Sequence, residues 1–368
     1  MSAPAGRIRF RRQWGISPRT RYQLGRCDAM ASAIRAMPLH PDDRRRLRES
    51  SLARGARAIA SLQDDRPGMP GGSDELAEDC AVAMQRLHDR VHVAGEGEDN
   101  PLIDADTLLG AHLLLAGGPD DPRGWGAGGY RTRRCATPEG APDAAEVPTL
   151  VGELIAWLGR ELAEGGRDSR FGRAVVRALA SHAHILAISP FRGGNRAAAA
   201  LIEGYVLAAA RCPTVASHVL PELYLRAKEE YAGALDRCRR DRSLTSFVEY
   251  GVAGLAGGVR KVMAEMADAS LRSNWRCLIR ERLAAGVSRK RSVLARRRQL
   301  ILALPLDGAL GLDEMMGLNT GVAEPYADLS RRTLRRDLAF LRDAGLVVER
   351  EGGWSANTAA LRPGTAAR

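Results

Sequence analysis

No two of the six cysteines (Cys27, Cys80, Cys135, Cys212, Cys238 and Cys277) form a CxxC pair. Their spacings match no zinc-binding pattern, which leaves scattered free thiols in a reducing compartment. The seven histidines include no HExxH or similar ligand pair, so no metal site is expected. No apolar run approaches the roughly 18–20 residues that a membrane span needs. The N-terminal stretch "MSAPAGRIRFRRQWG" is basic and lacks the apolar centre of a secretory signal. There is no internal repeat. A cytoplasmic protein without membrane contact is the simplest expectation.

What the chain does have is positive charge, and it is unevenly placed. The formal net charge is +11. Residues 271–368 hold 18 Lys and Arg against 10 Asp and Glu, so most of the excess lies in the last quarter. That bias points to an anionic partner there, nucleic acid first. A solvated basic face is the alternative that charge alone leaves open.

Helical periodicity dominates the rest. Apolar residues recur at three-to-four spacing over 22–37 and 41–62. The stretch 73–91 opens on Ser73 with an acidic first turn, and 104–118 closes on glycines. Residues 119–147 are rich in Gly and Pro with no 3.6 period, and suit a short hairpin or an ordered loop. Helical patterns resume at 149–165, 169–189 and 197–211, with further helices near 221–240 and 244–268. A basic connector over 272–298 reads as one helix, or as two broken at Gly286.

Between two of these helices lies "SPFRGGNRAAAA" (189–200). Gly193 and Gly194 let backbone approach a ligand closely. The unpaired N–H groups at the start of the next helix, with its dipole, favour an anion. Asn195 adds a donor, and Arg192 and Arg196 add charge. A phosphate suits such a place. The plain alternative is a glycine-rich interhelical turn with surface arginines.

The stretch resembles the signature of the Fic family, H-P-F-x-[D/E]-G-N-G-R-x-x-R, with Pro190, Phe191, Gly194 and Asn195 at the matching positions. Three more blocks follow the family order. The helix "ASHAHILAIS" (180–189) resembles the one before the signature. "GGYRT", with Gly129, Tyr130 and Arg131, resembles the flap that docks a target peptide. "SSLARG", with Ser50, Ser51, Arg54 and Gly55, resembles the inhibitory helix. The likeness covers roughly 30–265. It implies a helical bundle with a short β-hairpin flap, and transfer of AMP from ATP to a protein hydroxyl.

The departures fall on the chemistry that the resemblance implies. The family His, the general base, is Ser189 here, and a serine hydroxyl does not accept a proton near neutral pH. The family carboxylate that holds Mg²⁺ is Gly193, so a hard oxygen ligand is missing. Arg196 stands in for one phosphate-binding arginine by a one-residue slip, while the second is absent because 197–200 are all alanine. The inhibitory Glu is Arg54. His182 and His184 lie at least one helical turn below the loop. The expectation is loss of AMP transfer, with weak binding of ATP or another nucleotide surviving at Arg192–Arg196 and no metal of its own.

A second block is "ADLSRRTLRRDLAFLRDAGLVVEREGGWSANT" (327–358). Ser330 is a good N-cap, and Leu334, Leu338 and Leu341 form a buried stripe. Arg331, Arg332, Arg335, Arg336 and Arg342 lie largely off it. Gly345 ends the helix, and a hairpin turns at Gly352-Gly353. The preceding helix falls at 312–319. The block resembles the winged helix-turn-helix of DeoR-type regulators, as some bacterial Fic proteins carry one, and implies DNA contact through Arg331, Arg332, Arg335 and Arg336. A winged helix used for protein contact is the alternative.

The expected architecture is therefore mainly α. A helical region over 1–115 leads to a Fic-like core over 116–268, a basic connector over 269–298 and a winged helix over 299–368. Three functions remain open: an inactive Fic-like protein acting through its winged helix, a nucleotidyl or phosphoryl transferase with different site chemistry, and a DNA-binding regulator whose core senses a phosphorylated ligand or only forms a homodimer.

Overall fold

The computed structural model describes residues 8, 10, 13–63, 74–93, 103–135, 140–163, 169–284, 291–317, 326 and 329–361. Ser73, part of the flap stretch (136–139), Gly286, and residues 318–319 and 327–328 lie outside them. Two compact units emerge, one of Met1–Met37 with Pro41–Met266, the other of Pro38–His40 with Ala267–Arg368.

The first unit is all helix and turn among its described residues. Its helices are α1 (Pro18–Ala36), α2 (Pro41–Gln63), α3 (Asp74–Val93), α4 (Ala105–Leu115), α5 (Val147–Ala163), α6 (Arg170–Ile188), α7 (Asn195–Ala209), α8 (Val219–Arg226), α9 (Lys228–Asp241) and the start of α10 (Thr245–Ala284). Side-chain caps open several of them. Ser17 accepts from the Thr20 N–H, Asp104 from Thr107 and Ser169 from Gly172. α6 is buried almost all round, from Phe171 to Ile188, as expected of a central helix. It packs on α7, α5 and α1, while α2 lies against α3, α7 and α8.

Three glycines set how closely α10 approaches its neighbours. A Cβ at Gly251 would sit 2.3 Å from Leu179, at Gly254 2.0 Å from Leu223, and at Gly258 2.1 Å from Val219. The helix expected to stop near 268 runs on to Ala284, because 259–284 contain neither glycine nor proline. The single helix expected near 221–240 is two, parted at Ala227, whose φ of −120° and ψ of 53° are not helical. The 119–135 stretch takes the loop form, with no strand among its described residues.

The second unit contains the rest of α10, α11 (Arg291–Ala303), α12 (Leu312–Gly317) and α13 (Arg331–Asp343), then β1 (Val347–Arg350) and β2 (Gly353–Ala356). Its core joins Trp275, Ile279 and Leu283 to Leu300, Leu334, Leu338 and Leu341. β1 and β2 pair antiparallel with Arg350 opposite Gly353, so the turn is Glu351-Gly352, one residue earlier than the sequence pattern suggested. Leu310 adds a bridge to Trp354 through two 2.9 Å backbone hydrogen bonds. No helix among the described residues is long and apolar enough to cross a membrane.

Candidate functional site: the glycine loop and the arginine helix

α6 ends at Ser189, which takes the left-handed conformation (φ 47°) rare for a residue with a side chain. Its N–H bonds Ile185 O, and its hydroxyl donates to Leu186 O at 2.8 Å. The hydroxyl is thus turned back onto the helix it terminates. An arginine from the stretch likened to the flap holds this bend. Arg131 is 5% exposed; its Nε donates to Ser189 O at 2.8 Å and its Nη2 to Pro142 O at 2.6 Å. Its own N–H bonds Pro190 O. Gly129 and Tyr130 are half-buried beside it, and the Tyr130 ring stacks 6.1 Å from Phe191.

The loop then closes on itself. Asn195 Oδ1 accepts from Phe191 N–H and Asn195 Nδ2 donates to Phe191 O, both at 2.9 Å. Phe191 is fully buried and lies flat on His112 of α4, ring centres 3.7 Å apart at 3°. His112 Nε2 is 3.1 Å from Gly193 O. A carbonyl only accepts, so Nε2 carries the proton. Burial pushes the His112 pKa down to about 4, which keeps the ring neutral.

Trp125 covers the two glycines. A Cβ at Gly193 would meet its Cδ1 at 2.3 Å, and one at Gly194, whose φ is +75°, would meet its Cε3 at 2.8 Å. The turn that carries Trp125 is fixed by Asp121, which accepts from Trp125 N–H and Gly126 N–H at 2.8 Å each. Burial works against the Asp121 carboxylate, but these backbone donors outweigh it and lower its pKa. Arg123 stands over the indole at 5.8 Å and pairs with Asp79 at 2.7 Å.

The expected anion-binding groups also have protein partners. Ala197 N–H donates to Gln63 Oε1 and Arg196 Nη1 to Leu62 O, each at 3.4 Å, so the C-terminal end of α2 sits at the start of α7. Arg192 is exposed. No group of three or more His, Cys, Asp or Glu that could hold a metal exists among the described residues. Gly193 offers no carboxylate at this position, and the Trp125 indole lies against it.

The stretch likened to the inhibitory helix ties α2 to α8. Arg54 makes a two-pronged pair with Glu222 (2.7 and 2.8 Å) and reaches Glu265 at 3.7 Å. Ser51 Oγ donates to Thr214 O at 3.1 Å and lies 2.8 Å from His218 Nδ1. Gly55 faces the His218 backbone, where a Cβ would come within 3.3 Å of Cα, and Ser50 is exposed. His182 and His184 are buried. His182 Nε2 is 2.8 Å from Tyr231 OH and its Nδ1 3.4 Å from Glu203 Oε2, while Tyr224 OH donates to Glu203 Oε1 at 2.7 Å. His184 lies edge-on to Trp157 and Phe10, and burial lowers its pKa to about 4.

In the second unit, α13 buries Leu334, Asp337, Leu338 and Leu341, while Arg331, Arg332, Arg335, Arg336 and Arg342 are exposed. Asp337 is fully buried. It accepts from Arg297 Nε (2.9 Å), Arg296 Nε (2.8 Å) and Tyr326 OH (2.9 Å). Burial would raise its pKa, and these three donors bring it below the usual range. The Arg297 guanidinium also lies 3.7 Å over the Phe340 ring. Arg331 pairs with Asp313 and Arg342 with Asp343.

Sequence reasoning did not find His112, Asp121, Trp125, Gln63 or Asp337. The first four come from segments outside the loop motif. Asp337 had a usable signal, as the acid that falls at the spacing of the apolar stripe in an arginine-rich helix.

No family model and no curated protein matches the sequence. Solved structures do. A Fic domain containing signaling protein from Bacteroides thetaiotaomicron is 16% identical with a TM-score of 0.51, the match covering 67% of this chain and 98% of that one. Fic-1 from C. elegans is 18% identical with a TM-score of 0.50, over 68% of this chain and 73% of that one. Over about two thirds of its length this chain therefore has the fold of a Fic domain.

Proposed function

We propose that this protein acts by binding DNA through a winged helix formed by α12, α13 and the β1–β2 hairpin, and that its Fic-like core does not transfer AMP. The observation that carries the reading is the division of charge on α13. Its one buried acid, Asp337, is consumed beneath the helix by Arg296 and Arg297, while its arginines face outward. Such a face meets phosphates and guanine edges. Against AMP transfer stand the Ser189 hydroxyl turned onto Leu186 O, the indole over Gly193, and Asn195 closed on Phe191. The core is a packed body in this reading, and Arg131 serves to hold its loop.

The test is fluorescence anisotropy of the full chain with labelled duplex DNA across a salt series. Binding is expected to weaken steeply with salt, by roughly 0.9 log units per log unit of salt for each phosphate neutralised. The Arg335→Ala, Arg336→Ala double variant is expected to lose it. Full binding by that variant overturns the assignment to α13. In parallel, radiolabelled ATP with Mg²⁺ is expected to leave no label on the protein or on a cell lysate. Label that depends on Asn195 overturns the inactive reading of the core.

A further inference from the structure

The exposed face of α13 divides further. Side chains on a helix advance by roughly 100° per residue. With Leu334, Asp337, Leu338 and Leu341 turned to the core, Arg332, Arg336, Ala339 and Asp343 point directly away from it. Arg331, Arg335 and Arg342 lie on one flank, and Thr333 and Phe340 on the other. Salt bridges separate these arginines as well. Arg331 is held by Asp313 and Arg342 by Asp343, whereas no ion pair to Arg332, Arg335 or Arg336 is formed among the described residues. The outward centre thus presents two uncommitted guanidinium groups one turn apart, about 6 Å along the axis. Ala339, a turn further on, has only a methyl group to hold the helix off a surface. The hairpin is a poor rival, since Glu349 and Glu351 flank its Arg350 at the exposed end.

We infer that Arg332 and Arg336 read two guanine bases spaced about two base-pair steps apart, and that Arg335, on the flank, neutralises a backbone phosphate. This rests on the DNA reading given above. The chemistry is that of the guanidinium fork, whose paired donors match O6 and N7 of guanine in the major groove. Two steps of duplex rise roughly 6.8 Å, close to the advance from Arg332 to Arg336. A phosphate contact from the flank carries no sequence information.

The experiment is selection of binding sites from a random duplex library with the full chain, followed by affinity measurements on the selected duplex. The selected sites are expected to share two guanines about two steps apart. Arg332→Ala should erase the preference at one and Arg336→Ala at the other, each weakening the selected duplex roughly 5- to 150-fold while random duplex weakens far less. Arg335→Ala should weaken both duplexes alike and reduce the salt slope by about 0.9. Replacing each guanine by 7-deazaguanine removes N7 without touching the protein, and should give losses of the same kind. Selected sites without guanine preference overturn the inference while DNA binding stands, as do preferences unchanged in both single variants or indifference to 7-deazaguanine. Failure of the unaltered chain to bind any duplex overturns the DNA reading itself, and this inference with it.

Discussion

The indole of Trp125 occupies the space into which a side chain on Gly193 would grow: a Cβ there would stand 2.3 Å from Cδ1 and 2.6 Å from Nε1. The carboxylate that the resemblance led one to seek at this position is thus absent for a steric reason as well as a chemical one. Restoring it requires moving the ring that replaced it.

Gly193→Asp is accordingly expected to destabilise the protein by about 1–3 kcal/mol through overpacking. Trp125→Ala combined with Gly193→Asp should be non-additive, recovering part of the loss because the clash is removed. Urea unfolding of the two single variants and the double variant measures this. Strict additivity would show that the ring and the glycine are not coupled.

Adjacent glycines on α10 should respond in opposite directions. A Cβ at Gly257 meets nothing within 4 Å, whereas one at Gly258 would be 2.1 Å from Val219 Cγ1. Gly257→Ala is expected to stabilise by about 0.5–1 kcal/mol through helix propensity. Gly258→Ala should destabilise by about 1–3 kcal/mol. Thermal unfolding of the pair checks both signs.

The first unit should weaken in mild acid. His112 and His184 have pKa values pushed down to about 4 by burial, against an ordinary value near 6.5. Above pH ~6.5 neither the folded nor the unfolded chain protonates them, and the folded state keeps its full stability. As pH falls from ~6.5 to ~4 the unfolded chain takes up protons that the folded chain refuses, and stability drops by up to roughly 3 kcal/mol for each histidine. His184→Phe should flatten the pH dependence of the urea midpoint over that window by about one proton. An unchanged slope would remove His184 from the account.

Asp337 has linkage of the same sign, set at lower pH. Its pKa is held below the usual carboxylate range by Arg297, Arg296 and Tyr326 against the effect of burial. Its contribution is present above the unfolded value of about 3.9 and is lost as pH falls through the folded one. Asp337→Ala at neutral pH leaves Arg296 and Arg297 without their anion and should destabilise the second unit by about 3–5 kcal/mol. Faster limited proteolysis within 267–368 is the readout.

Much of the helical layout was legible from the 3.6-residue apolar period and the capping residues, because both are local. Ser169 before α6, Leu334, Leu338 and Leu341 inward on α13, and Gly345 after it are properties of short stretches of chain. The likeness of 187–196 to a known signature located the loop for the same reason. The absence of a base at Ser189 and of a carboxylate at Gly193 is likewise a fact of composition, which no folding can alter.

Tertiary structure alone decided what those positions do. Trp125 lies in a loop 68 residues before Gly193, and His112 comes from α4. Nothing periodic links them, so their meeting depends on how α4, α6 and α7 pack. Arg131 looks in sequence like a group that docks a target, and Arg54 stands where the resembled family has its inhibitory Glu, yet the one is bound to Ser189 O and the other to Glu222. A charge in a sequence is known by its sign, whereas its partner is fixed only when the fold has brought one within hydrogen-bonding distance.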